Sequence, residues 1–221
     1  MSHDDFAFEP IRGLPERPPE GEAILWQGGP QWRGLAWRAF HVREVSLYFA
    51  VLVAAQPVLA LTQGRALTTA LLPMTWVGLA GSLAAALLCL LAWLSARGTV
   101  YTVTSRRLVL RFGIALPMTM NLPFGLVGQA GLRLRRDGTG DLPIGLVEGE
   151  RVSYVVLWPH IRPWRFARPE PMLRELADAA RVADILSRAL ALHCGVPASV
   201  RLPAPTAAND QRLPQGLAAA G

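Results

Sequence analysis

Two apolar runs, residues 45–63 and 74–95, limit what this chain can fold into more than any other feature. At 1.5 Å per residue each is about long enough to cross ~30 Å of hydrocarbon as a helix. The short linker between them makes a transmembrane hairpin the expected anchor. Arginine distribution sets its direction: Arg33, Arg38 and Arg43 precede the first run, Arg97, Arg106, Arg107 and Arg111 follow the second, and only Arg65 lies in the linker. Basic residues are retained on the cytoplasmic side, so both termini are expected there. The N-terminal stretch is acidic and lacks a basic region followed by an apolar core, so no cleaved signal peptide is expected.

Within the runs, Pro57 is expected to kink the first helix, and Gln56 to hydrogen-bond to a neighbouring helix. Gly78, Ser82 and Ala86 form a small-residue stripe on the second, read as packing against the first, with a foreign helix as the alternative and a homo-oligomer among the partners allowed. The two cysteines, Cys89 and Cys194, read as packing residues. All 22 basic residues are arginine, and the formal charge of +6 is what the charge bias of a membrane anchor produces. Attraction to anionic lipid is the sharper reading of that charge.

Along the chain, residues 1–21 and 196–221 read as disordered tails, Pro- and Gly-rich in the first case and Pro- and Ala-rich in the second. Residues 22–44 read as one short strand followed by a juxtamembrane segment in which Trp32, Trp37 and Phe40 alternate with arginines. That strand is expected to pair with the sheet beyond the hairpin, residues 45–95. After Gly98, short alternating runs at 99–104, 107–112, 115–122, 126–135, 140–147 and 151–158 predict a meandering antiparallel sheet. Residues 113–132 are apolar, but Pro117, Pro123, Gly125 and Gly128 argue for strands over a third span. A helix is expected from Met172 to about His193, burying Leu173, Leu176, Ala180, Ala183, Leu186 and Leu190. The fold class is thus an α+β membrane protein, a two-helix hairpin plus a cytoplasmic domain at 99–193.

No catalytic constellation is evident. His3, His41, His160 and His193 lack a second ligand at metal spacing, and there is no phosphate loop before a helix, so neither enzymatic activity, a metal nor a cofactor is expected. His41 sits where a chlorophyll magnesium could be ligated, though a lone exposed histidine is the simpler reading. Asp137-Gly-Thr-Gly reads as a hairpin turn more readily than as a phosphate nest. Two spans without an internal charge also offer no transport pathway.

The densest candidate is Leu157-Trp-Pro-His-Ile-Arg-Pro-Trp-Arg-Phe-Ala-Arg-Pro-Glu170. Its Trp158, His160, Arg162, Trp164, Arg165 and Arg168 form the expected partner-binding set, because Trp and Arg dominate interface energetics. The competing reading has Trp158 and Trp164 packing the terminal helix onto the sheet. Arg106, Arg107 and Arg111 are the expected lipid-facing set.

Strands closed by one helix, with Tyr101-Thr-Val-Thr-Ser-Arg-Arg-Leu-Val-Leu at their start, resemble the small bacterial pleckstrin-homology (PH)-like domain that follows a membrane hairpin, implying an antiparallel β-barrel. Three longer stretches resemble the PuhB family of photosynthetic complex assembly proteins of purple bacteria. They are Leu14-Pro-Glu-Arg-Pro-Pro-Glu-Gly-Glu-Ala-Ile-Leu-Trp-Gln-Gly, Trp37-Arg-Ala-Phe-His-Val-Arg, and the aromatic-arginine motif extended to Met172. That resemblance implies a non-enzymatic helper in assembling the reaction centre and core light-harvesting complex. It would sit in the inner (intracytoplasmic) membrane, with reaction-centre or core antenna subunits and membrane lipids as partners and no nucleic acid. The alternative is a membrane-anchored PH-like module that binds anionic lipid or another protein.

Overall fold

A computed structural model describes residues 9–149 and 152–194. The chain runs β1 (Ile24–Gly28), α1 (Trp32–Arg38), α2 (Val42–Thr62), α3 (Leu71–Gly98), β2 (Val100–Thr104), β3 (Arg107–Phe112), β4 (Met118–Pro123), β5 (Val127–Ala130), β6 (Arg133–Leu134), β7 (Gly140–Leu146), α4 (Tyr154–Leu157), β8 (Met172–Leu176) and α5 (Ala179–Cys194).

Helices α2 and α3 are both long and apolar enough to cross a membrane. Buried positions are few, Val42 and Ala60 on α2 and Gly81, Ala92, Ser95 and Gly98 on α3. Leu47, Val51, Leu59, Leu79, Leu83 and Leu87 instead stand exposed. A water-soluble helix would turn such a surface inward. Among the α3 glycines facing α2, Gly81 sits closer, since a Cβ there would collide with the Phe49 side chain, while Gly78 only touches Val53. The small-residue contact is thus centred away from the expected stripe. Pro57 lies inside α2, and the Gln56 amide donates to the Leu52 carbonyl of its own helix at 3.4 Å rather than to α3.

The first sheet has the order β1-β2-β3-β4, all antiparallel. The strand that precedes the hairpin therefore pairs with the one that follows it, Gln27 opposite Thr102 and Gly28 opposite Tyr101. One face of this sheet supplies Tyr101, Val103, Leu108, Leu110 and Phe112 to the main core. The other face is covered by the N-terminal segment. Gly13, at φ +79°, seats against Val100, Gln27 donates to the Arg12 carbonyl, and Leu14 is buried. Residues 9–21 are thus folded rather than a tail, held by the buried Leu14 and a Glu9–Arg111 ion pair. The rest of the two expected tails, 1–8 and 196–221, falls outside the described residues.

The second sheet is β5-β7-β6 with β8 added to β7. A 3-10 turn at Phe124–Leu126 leads from β4 into it, and no ladder joins the two sheets among the described residues. The expected barrel is therefore two packed sheets, not a closed one. Residues 113–132 form β4, the turn and β5. Two element types depart from expectation. Residues 154–157 are a short helix where a strand is expected, and 172–176 are a strand where a helix is expected. The terminal helix begins only at Ala179. Its buried face is Ala179, Val182, Ala183, Leu186, Ala189 and Leu190, an i, i+3, i+4, i+7 stripe that leaves Ala180 outside. A smaller core docks α1 on α3 through Leu35, Ala36, Ala39, Phe40 and Ala92.

Candidate interaction surface

The motif at 157–170 connects α4 to β8 across the corner where α1, α2 and α3 meet the sheets, and it splits by burial. Leu157, His160 and Ile161 point inward. Tyr101 Oη lies 2.7 Å from His160 Nδ1, and Thr99 Oγ1 lies 3.0 Å from Nε2. The Thr99 hydroxyl donates to the Ser95 carbonyl, so it accepts from Nε2–H. Nδ1 is then the bare nitrogen and accepts the Tyr101 proton, while Tyr101 accepts from the Arg174 amide. This pattern fixes one tautomer of a neutral imidazole. Burial, with the Arg174 cation nearby, pushes the His160 pKa down to about 3. Burial likewise pushes the Tyr101 phenol up. Such a histidine is a structural pin rather than an acid, base or contact residue.

Beside it lies a polar junction that the sequence does not advertise. Arg38 of α1 donates to Glu175 Oε2 at 2.7 Å, and Arg135 reaches Glu175 Oε1 at 2.8 Å and also pairs with Asp141. The Glu175 amide donates to Asp141 Oδ1, its carbonyl accepts from the Gln31 amide, and its backbone adopts φ +51°. Gly34 makes the approach of α1 feasible, since a Cβ there would collide with the Glu175 carboxylate. Arg174 donates to the carbonyls of Pro159 and Arg38. Burial pushes the Glu175 carboxyl up and the Arg174 guanidinium down, as expected when charged forms lose water.

The outward half of the motif is aromatic and cationic. Trp164 is 86% exposed and Phe166 63%. Trp164 meets Phe166 edge-on at 6.4 Å between ring centroids, and Phe166 lies against Tyr154 at 4.6 Å. Trp158 is half-exposed and packs edge-on against Phe40 at 4.9 Å. Neither tryptophan packs α5 onto a sheet. Arg162 and Arg165 both reach Glu170, at 2.7 and 3.4 Å, and Arg168 approaches Glu148 at 3.8 Å. The expected partner-binding set is therefore divided, with His160 withdrawn into the core and Trp158, Arg162, Trp164, Arg165 and Arg168 left at the surface.

The expected lipid-facing set is scattered. Arg111 is buried, bonded to Glu9 and to the Gly98 carbonyl. Arg107 pairs with Glu22 at 2.8 Å. Burial alone would raise the Glu22 carboxyl, but hydrogen bonds to Arg107 and Thr104 outweigh it and hold it low. Since Val100 pairs with Arg111 and Val103 with Leu108, the turn carrying Arg106 lies at the end of the β2–β3 hairpin away from α3. Asp137-Gly-Thr-Gly is a β6–β7 turn in which Asp137 Oδ1 accepts from the Thr139 amide. His41, in a left-handed conformation before α2, lies 3.7 Å from Glu44. Arg38, Arg135, Asp141, Arg174 and Glu175 escape sequence reasoning; their only signal is a charged pair inside the apolar run Met172-Leu-Arg-Glu-Leu.

Among known proteins, the bacterial PH domain family matches residues 35–190. An uncharacterized 23.7 kDa protein in the puhA 5′ region of Rhodobacter capsulatus is 37% identical over 204 residues, covering 92% of this chain and 95% of that one. No solved structure matches. With most of its length inside the family match and two antiparallel sheets backed by a terminal helix, the chain belongs to the bacterial PH domain family.

Proposed function

We propose that the chain is a membrane-bound, non-enzymatic assembly factor of the PuhB type, acting on reaction-centre or core light-harvesting subunits. In this reading α2 and α3 cross the inner (intracytoplasmic) membrane and both termini lie in the cytoplasm, as the arginine asymmetry implies. The observation that carries it is the relative from the puhA 5′ region, similar along nearly the whole of both chains, since puhA is a reaction-centre gene. The contact surface is the outward half of the 157–170 motif. Two rings held clear of the core and arginines braced on Glu170 give a rigid surface of the residue types that dominate interfaces.

Two measurements test this. Reporters fused after Gly138 should read as cytoplasmic and near Thr68 as periplasmic; the reverse result rejects the topology. In a strain that relies on the variant W164S/F166S/R168A, photosynthetic complex absorbance, normalised to the amount of this protein in the membrane, should fall. Normal complex yield at normal abundance rejects this loop as the contact surface. Normal yield after complete deletion of the gene rejects the assembly role itself.

A further inference from the structure

Outside both sheets, a cleft opens between the start of α1 and the last turns of α3, lined among others by Pro30, Gln31, Trp32, Arg33, Trp93 and Arg97. The Arg33 guanidinium lies over the Trp32 ring at 5.6 Å from its centroid, and the Arg97 guanidinium over the Trp93 ring at 5.5 Å. Two planar cations, each backed by an indole, thus line one cleft. An indole behind a guanidinium limits its motion and leaves its fork of N–H donors in plane, the geometry that grips a phosphate bidentately. Leu83, Leu87 and Leu90 are exposed on α3, and with Trp93 and Arg97 they follow at steps of three and four, which puts them on one helical face.

We propose that this cleft binds the phosphate headgroup of an anionic phospholipid, with the acyl chains lying along the leucine lane of α3. The inference rests on the reading that α2 and α3 cross a membrane, and it is independent of any assembly role. The leucine lane argues for a lipid over a free phosphate, because a soluble anion gains nothing from an apolar track. The paired cations argue for an anionic over a zwitterionic headgroup. Trp32 and Trp93 would then lie at headgroup depth, where indoles partition, and the site resembles basic pockets between helices that hold acidic lipids.

The test uses the full chain purified in mild detergent, with retained lipid counted by native mass spectrometry after exposure to phosphatidylglycerol or phosphatidylcholine. Wild type should retain phosphatidylglycerol in preference. R33Q, a change at an exposed position, and R33Q/R97Q should weaken that retention progressively, to about tenfold in the double variant, as expected for losing charge-assisted hydrogen bonds. R33K/R97K, which keeps the charge and loses the fork, should fall between. R188Q, which alters an exposed arginine paired with Asp184 on α5, should match wild type. Equal retention of the two lipids by wild type, or no difference between wild type and R33Q/R97Q, overturns the proposal. So does displacement of phosphatidylglycerol by millimolar inorganic phosphate, which would identify a free-anion site. Should the membrane reading itself be wrong, wild type would wash out of membranes in alkaline carbonate; if only the headgroup site is wrong, it stays.

Discussion

The fourteen residues of the aromatic-arginine motif divide into two halves governed by different physics. In the inner half, His160 and its partners have traded water for a closed set of hydrogen bonds, so each group there is worth what its partner would lose if left alone. In the outer half, Trp164 and Phe166 remain largely exposed and gave up little water on folding, so truncating these rings costs the fold little. Similar residue types thus serve stability on one side and form an exposed surface on the other. Composition cannot separate them; only the neighbours can.

The strongest way to break this contrast is Glu175→Leu. It leaves the mostly buried Arg135 and the half-exposed Arg38 facing an apolar side chain, and removing one partner of a buried pair costs about 3–5 kcal/mol. Thermal unfolding of the detergent-solubilised chain should show that loss, or the variant should fail to accumulate. A loss below about 1 kcal/mol would mean that Asp141 compensates. Tyr101→Phe is next, because it removes the donor to His160 Nδ1 and leaves a buried acceptor unpaired at a cost of about 1–3 kcal/mol.

Acid supplies a third probe. The folded-state pKa of His160 lies at about 3, below its ordinary 6.5. Between these values the unfolded chain binds a proton that the folded chain refuses, so this group's contribution is fully present above about 6.5 and fades as pH falls toward 3. The unfolding free energy should fall by up to about 1.4 kcal/mol per pH unit through that window from this residue alone. In His160→Gln that component of the slope should vanish. The smallest effect belongs to the outer half: W164S/F166S should change stability by no more than about 0.5 kcal/mol. A larger loss in the same melt would show that these rings are part of the core after all.

Much of the architecture was legible because it follows from periodicity. The hairpin, β1, β2, β3 and β7 come from apolar runs and alternation, and the β6–β7 turn from Asp137-Gly138. The strand β8 was not legible. Met172-Leu-Arg-Glu-Leu is buried throughout, so it lacks the alternation of a half-exposed strand, and Leu173 and Leu176 fit the helical stripe that follows. Residues 9–21 were misread because composition reports what a segment can bury by itself, and Glu9 is held by Arg111 from the far side of the hairpin. The same long-range pairing removed Arg111 from the exposed cations. In the motif, residue types announced a surface, but which rings faced outward depended on Phe40, Thr99 and Tyr101, none of them near it in sequence.

The pairing of β1 with β2 carries a consequence for how the chain is made. A strand completed before α2 has emerged must wait until Thr104 has been synthesised before Ile24 finds its partner. In solution, closing so long a loop carries an entropic cost that grows with its length. Two antiparallel helices remove most of that cost, since they return the chain to its starting point, with Gly29 brought against the Thr99 carbonyl. The first sheet can therefore close only after α3 has brought the chain back beside β1. A chain whose α3 failed to come back would keep β1 as an unpaired edge, one strand short of a finished sheet.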